Sequence, residues 1–200
     1  MRRLVVLGLL FNLAGCLTTG KRGGDTPLSV HDFGSPGERL VAVRPAPLAV
    51  EVRAPAWFDA LAVNYRLAYG DPSRVREYAR SRWAGPPTQL IQQRLVRQLD
   101  LLPAGQGRAA CVLRVDLGEF SQIFATPGSS RGVLQGRALW LDRGRAVLAE
   151  RDIDIAVTAG TPDALGGVAA LSAAVGQLTA TLHAWELELA QAGRLKGCTP

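Results

Sequence analysis

The chain is poor in the residues that hold metals or drive acid–base chemistry: two histidines, three cysteines and one methionine among 200 residues. His31 and His183 stand far apart, and neither lies at metal-ligand spacing from another donor. The metalloprotease pattern His-Glu-x-x-His and a phosphate-binding glycine loop are both missing. Asp152 and Asp154 alternate along an apolar segment, which makes a solvated strand face rather than a converging acid–base pair. Gly128-Ser129-Ser130 reads as a turn and Gly166-Gly167 as a helix start. The expectation is a protein that is not an enzyme, with no catalytic residues, no metal and no cofactor. Aromatic residues are also scarce, at 6%. Trp57, Tyr65, Trp83 and Trp140 serve either as core or as anchors for a partner or lipid surface, and sequence leaves both roles open.

Long apolar runs are short as well. Leu4–Leu13 has roughly half of the ~20 residues that a bilayer span needs. Arg2 and Arg3 precede it, and Leu13-Ala14-Gly15-Cys16 closes it as a lipobox. Small side chains at 14 and 15 suit the narrow pocket of a signal peptidase, and the Cys16 thiol is the nucleophile on which diacylglycerol is loaded. Residues 1–15 are therefore expected to be a lipoprotein signal peptide, with Cys16 becoming the lipidated first residue. Two or more acyl chains, at ~0.8 kcal/mol per buried methylene, anchor almost permanently. Leu17 stands where an Asp would favour retention in the inner membrane, so the expected location is the periplasmic face of the outer membrane. No later segment is expected to span a membrane.

The formal charge is +6, but 17 acidic residues are interspersed with 23 basic ones. Single arginines scattered in this way fit a solvated surface near anionic lipid and not a nucleic-acid groove, and export argues the same way. With Cys16 taken by lipid, Cys111 and Cys198 remain in an oxidising compartment and are expected to form a disulfide; the alternative is a buried thiol at 111 and an exposed one at 198.

Residues 16–36 are rich in Thr, Gly, Lys and Arg without apolar period and are expected to be a lipidated flexible tether. Residues 37–200 are long enough for one domain. Within it, Arg39–Arg53 suggests two short strand pieces broken by Pro45 and Pro47. Ala60–Arg66 and Arg74–Tyr78 suggest a strand pair across Tyr69-Gly70-Asp71-Pro72. Pro86-Pro87 followed by Leu90, Ile91, Leu95, Leu99 and Leu102 predicts a helix. Period-two alternation then predicts strands over 110–124, 132–141 and 146–157, the last two joined by Asp142-Arg143-Gly144. Thr161-Pro162-Asp163 reads as a helix start, the threonine hydroxyl capping and the proline preset for the first turn. Val168, Leu171, Val175, Leu178, Leu182, Trp185 and Leu189 follow as the seam of a long helix on the sheet. The fold class is α/β: a single domain with a mixed, largely antiparallel sheet and two main helices packed on it.

Several of these segments together resemble the ABC-type transport auxiliary lipoprotein family. They are Ala62-Val63-Asn64-Tyr65-Arg66, then Ser81-Arg82-Trp83-Ala84 with Pro86-Pro87, then Phe120-Ser121-Gln122-Ile123-Phe124 with Gly128-Ser129-Ser130-Arg131-Gly132, and the Thr161-Pro162-Asp163 start. The resemblance implies a non-catalytic accessory of an MCE/ABC-type intermembrane lipid transport system. It implies as partners a periplasmic MCE protein with its ABC permease and ATPase, contact with phospholipid, and assembly into a homo-oligomer. The other reading is a lipoprotein activator or scaffold for cell-wall synthesis or outer-membrane assembly.

Overall fold

A computed structural model describes residues 27–35, 37–106 and 109–198. The expected signal peptide and Cys16 lie outside them. In chain order the elements are β1 (Ser29–His31), β2 (Ala49–Arg53), β3 (Ala62–Leu67), β4 (Asp71–Trp83), α1 (Pro87–Leu99), β5 (Leu102–Pro103), β6 (Val112–Thr126), β7 (Ser129–Leu141), β8 (Val147–Thr158) and α2 (Ala164–Gln191).

All the strands join one mixed sheet organised around β6. Its one edge pairs antiparallel with β7 along nearly its whole length, and β7 pairs antiparallel with β8. The other edge is divided: the first half takes β2 in parallel and the second half takes β3 in parallel. Beyond β2 lies β5; beyond β3 lies β4, and β1 runs parallel to the end of β4.

The division coincides with a change of phase in β6. Leu113, Val115 and Leu117 are buried at alternate positions, but beyond Gly118 the buried set becomes Phe120, Gln122 and Phe124. A bulge between Leu117 and Glu119 inserts the extra residue that shifts the alternation. Opposite it, a Cβ on Gly136 would stand 2.2 Å from the Asp116 carbonyl oxygen, so the strands approach too closely there for any side chain.

α2 lies across β6, β7 and β8 with Leu171, Val175, Leu178, Leu182 and Trp185 at most 3% exposed. It comes close to the sheet at Gly132, where an added Cβ would be 2.7 Å from the Leu171 amide nitrogen. Contrary to expectation, α2 has the length and apolar composition of a membrane span. Its buried seam packs on the sheet, and Arg151 from β8 stands 5.2 Å over the Trp185 ring, as befits a core helix of a folded domain. The helix start also differs in detail. The capping residue is Asp163, whose carboxylate accepts the Gly166 N–H at 2.9 Å, and Thr161 donates its hydroxyl to that carboxylate at 2.8 Å. Pro162 stands before the helix and not in its first turn.

α1 begins at Pro87 without a cap of its own. Asp59, from the loop before β3, accepts the Thr88 N–H at 3.1 Å and the Thr88 hydroxyl at 2.7 Å. The helix stops earlier than the leucine spacing suggests, because Asp100 adopts a left-handed conformation with φ 50°. Leu101 then turns into the core, and Leu102 leaves the helical stripe to pair with Ala49.

The expected tether ends too late. Ser29–His31 already belongs to the sheet, and the ring of Phe33 is buried edge-on to Trp83 at 5.2 Å and to Phe120 at 6.0 Å. Of the two expected pieces in Arg39–Arg53, only the second is a strand. Leu40 and Val41 instead donate their N–H groups to the Gln98 carbonyl. Arg44 then reaches α2, forming a two-pronged ion pair with Glu186 whose side chains are 8% and 14% exposed. Beyond α2 the chain turns back at Gly193, and Cys198 is bonded to Cys111 at the mouth of β6 with their Cα atoms 5.2 Å apart.

Candidate functional site

The second half of β6 and the N-terminus of α2 enclose a polar knot. Gln122 is fully buried; its Oε1 accepts the Tyr78 hydroxyl at 2.8 Å, and its Nε2 donates to Ser130 Oγ at 2.7 Å. The Tyr65 ring lies 4.6 Å from that of Tyr78 and meets Phe124 at 6.0 Å. Burial, then the neighbouring Tyr65 and the Asp163 charge, push the Tyr78 phenol well above its ordinary range, so it remains a hydrogen-bond donor. Asp163 is held below the usual carboxylate range by the Gly166 N–H and by the Thr161 hydroxyl.

Gly128-Ser129-Ser130-Arg131-Gly132 has the spelling of a nucleophile elbow, Gly-x-Ser-x-Gly, which its reading as a turn passed over. An elbow needs a strand-to-helix turn that exposes the serine beside a base. Here Ser130 lies in β7, 3% exposed, and its hydroxyl bonds to a carboxamide that takes no proton. The knot is a satisfied structural network joining β4, β6 and β7. His31 Nε2 and His183 Nδ1 are buried without hydrogen-bond partners among the described residues. No group of three His, Cys, Asp or Glu side chains able to hold a metal occurs among those residues.

The surface offers two further features. A shallow groove lies between α1 and the segment after β1, lined by Asp32, Phe33, Gly34, Leu90, Gln93, Arg94 and Arg97. Of its two arginines, Arg94 is engaged by the incoming chain, donating to the Phe33 carbonyl at 2.5 Å. Burial lowers the Arg94 pKa from its ordinary value. The groove is thus the seat of the incoming chain. Around β1, in contrast, apolar side chains face outward: Leu28, Val30, Leu61 and Trp57, the last 64% exposed.

The aromatic residues singled out in the sequence part company. Trp83 closes the core with Phe33 and Phe120, and Trp140 is fully buried. Tyr65 is half-buried at the polar knot, and Trp57 faces solvent next to Phe58. Gln122, Ser130 and Asp59 were not visible as functional positions. Nothing local marks a glutamine on a strand as buried, and a cap supplied across 29 residues of sequence has no signature.

No curated protein matches the chain. Solved structures share its fold. A Xanthomonas campestris protein of the family DUF330 superposes with a TM-score of 0.67 at 20% identity, covering 82% of this chain and 98% of its own. An uncharacterized protein superposes with a TM-score of 0.60 at 18% identity, covering 78% and 96%. The family described as the ABC-type transport auxiliary lipoprotein component matches residues 35–182. That match spans the sheet from β2 to β8 and the seam of α2 as far as Leu182, and the chain belongs to this family.

Proposed function

We propose that the mature protein is a non-catalytic accessory of an MCE/ABC-type intermembrane lipid transport system, docking the periplasmic MCE component at the outer membrane. The observation that carries this reading is the family match over residues 35–182 in a chain that opens with Arg2-Arg3, an apolar run and Leu13-Ala14-Gly15-Cys16. Residues 1–15 are the signal peptide, Cys16 carries the acyl chains, and Leu17 directs the protein to the periplasmic face of the outer membrane. The partners are the MCE protein with its permease and ATPase, the cargo is phospholipid or a related hydrophobic molecule, and the protein assembles as a homo-oligomer. Ser130 is buried and hydrogen-bonded to Gln122 and is not presented as a nucleophile, which suits an accessory role.

In-cell crosslinking, affinity purification and mass spectrometry of the co-purifying proteins test it. Recovery of an MCE protein with a permease and an ATPase supports the proposal. Recovery of only cell-wall synthases or outer-membrane assembly factors overturns it in favour of a scaffold for those machines. Cys16→Ser should release the protein from the membrane fraction.

A further inference from the structure

The place where the chain enters the fold is an unusual corner. β1 runs parallel to the end of β4, with Ser29 opposite Ser81 and His31 opposite Trp83. The chain before it therefore arrives beside Arg80. On the other side of β4, the Trp83 N–H donates to the Leu61 carbonyl at 2.7 Å, which brings the Trp57–Leu61 loop to the same end of the strand. Leu28, Val30, Leu61 and Trp57 are 57%, 61%, 48% and 64% exposed, so both segments that meet this end of β4 present apolar side chains to solvent.

Beside this cluster the edge of β4 is open. β1 covers only Ser81–Trp83, so among the described residues Asp71–Arg80 has no strand on the side away from β3. Along it, Arg74 and Arg80 are exposed and Arg76 is half-buried, three cations against the exposed carboxylates of Asp71 and Glu77. None of the three is within ion-pair distance of a described carboxylate, whereas Arg66 on the adjacent strand is paired with Glu119. The edge is also unsuited to accepting another strand. Pro72 lacks an N–H, and the register between β3 and β4 shifts twice, so the backbone groups do not form a regular ladder.

We propose that this corner is a bilayer contact: Trp57, Leu61 and Val30 seat at the headgroup boundary, and Arg74, Arg76 and Arg80 face an anionic leaflet. The proposal rests on the reading of Cys16 as the lipid attachment. Leu17–Thr26 alone separates Cys16 from the described chain, and ten residues reach at most ~35 Å even fully extended. The anchor thus delivers the domain to the membrane by the edge of β4, which carries the apolar side chains at its Trp83 end and Arg80, Arg76 and Arg74 successively farther along it. Tryptophan prefers that depth because its ring is apolar and its N–H wants water. Each arginine near an anionic surface favours contact by about fivefold.

Trp57 is itself the probe, because Trp83, Trp140 and Trp185 are at most 3% exposed. The experiment reconstitutes the purified lipidated protein in phosphatidylcholine vesicles with or without phosphatidylglycerol, using brominated acyl chains, with Trp57→Phe as the reference. The expected result is bromine quenching of Trp57 that is strongest with phosphatidylglycerol and weakens in high salt. R74Q/R76Q/R80Q should shift the balance between contacting and free Trp57 by about 100-fold. Trp57 that is quenched equally by aqueous iodide with and without the bilayer overturns the proposal. So does Trp57 shielded from both iodide and bromine, which would mean that protein covers it. The mass of the N-terminal peptide tests the Cys16 reading separately. Should it show no lipid, Trp57 quenching on added vesicles still decides the surface.

Discussion

The carboxamide of Gln122 fills the space that a side chain at position 167 would need: a Cβ on Gly167 would stand 2.0 Å from Gln122 Oε1. The missing side chain of a helical residue thus makes room for a polar group that ties three strands together. By helix propensity alone, Gly167→Ala should stabilise the protein by about 1 kcal/mol. We expect the opposite sign, a loss of about 1–3 kcal/mol, because the buried amide is displaced from Tyr78 and Ser130. Urea unfolding should also show Q122A/G167A costing less than the sum of its single substitutions, since both disturb one network.

Arg44 and Glu186 join the chain before β2 to α2 almost out of water. Removing only Arg44 strands a buried carboxylate and should cost about 3–5 kcal/mol, whereas replacing both with apolar residues of similar volume should cost far less. Denaturant midpoints of R44M, E186L and the double variant measure the difference. Equal losses in all three would show that packing and not charge holds this joint.

The Cys111–Cys198 bond closes a loop with a sequence separation of 87. By loop entropy, its loss should destabilise the fold by up to roughly 4–5 kcal/mol. Unfolding curves of C111S/C198S beside the oxidised wild type, both without reductant, give the value directly. A change of under ~1 kcal/mol would mean that the reduced unfolded chain is already restricted near these residues.

Asp163 caps α2 as a carboxylate, and its pKa is lowered on folding by the Gly166 N–H and then by the Thr161 hydroxyl. Its contribution is therefore full above the ordinary carboxylate pKa of ~4 and is lost as pH falls through the lower folded value. Asp71, lowered mainly by the Ser73 hydroxyl, titrates with the same sign. The readout is thus the difference between wild type and D163N from pH 5 down to pH 2: wild type should lose stability more steeply. At pH 7, D163A should lose about 1 kcal/mol and D163N less, because asparagine also caps.

Much of this fold was legible because alternation and helical period report burial directly. The strands around Leu113–Leu117 and Ile153–Val157, and the α2 seam from Leu171 to Leu189, follow from spacing alone. What escaped depends on contacts distant in sequence. β1 has three residues in a polar setting, and its Val30 faces outward, so no pattern distinguishes it from tether. Phe33 stands in sequence as a lone aromatic among polar residues, yet its ring packs edge-on against both Trp83 and Phe120. The Gly118 bulge reverses the alternation from Glu119 to Phe124, which hid Gln122 as a buried position. At the proposed membrane corner, Trp57 was singled out, but its neighbours Leu28, Val30 and Arg80 become a group only once β1 lies along β4.

The bond between Cys111 and Cys198 also divides the molecule mechanically. From β6 through α2 the chain is a covalent ring, and everything before Cys111 hangs from it as a linear tail. A pull reaching the domain from its N-terminal end can peel away β1, β4 and even α1. It cannot extend the segment that carries the central hairpins and the long helix. Once the load is released, the detached strands find the edges of β6 still enclosed within that ring.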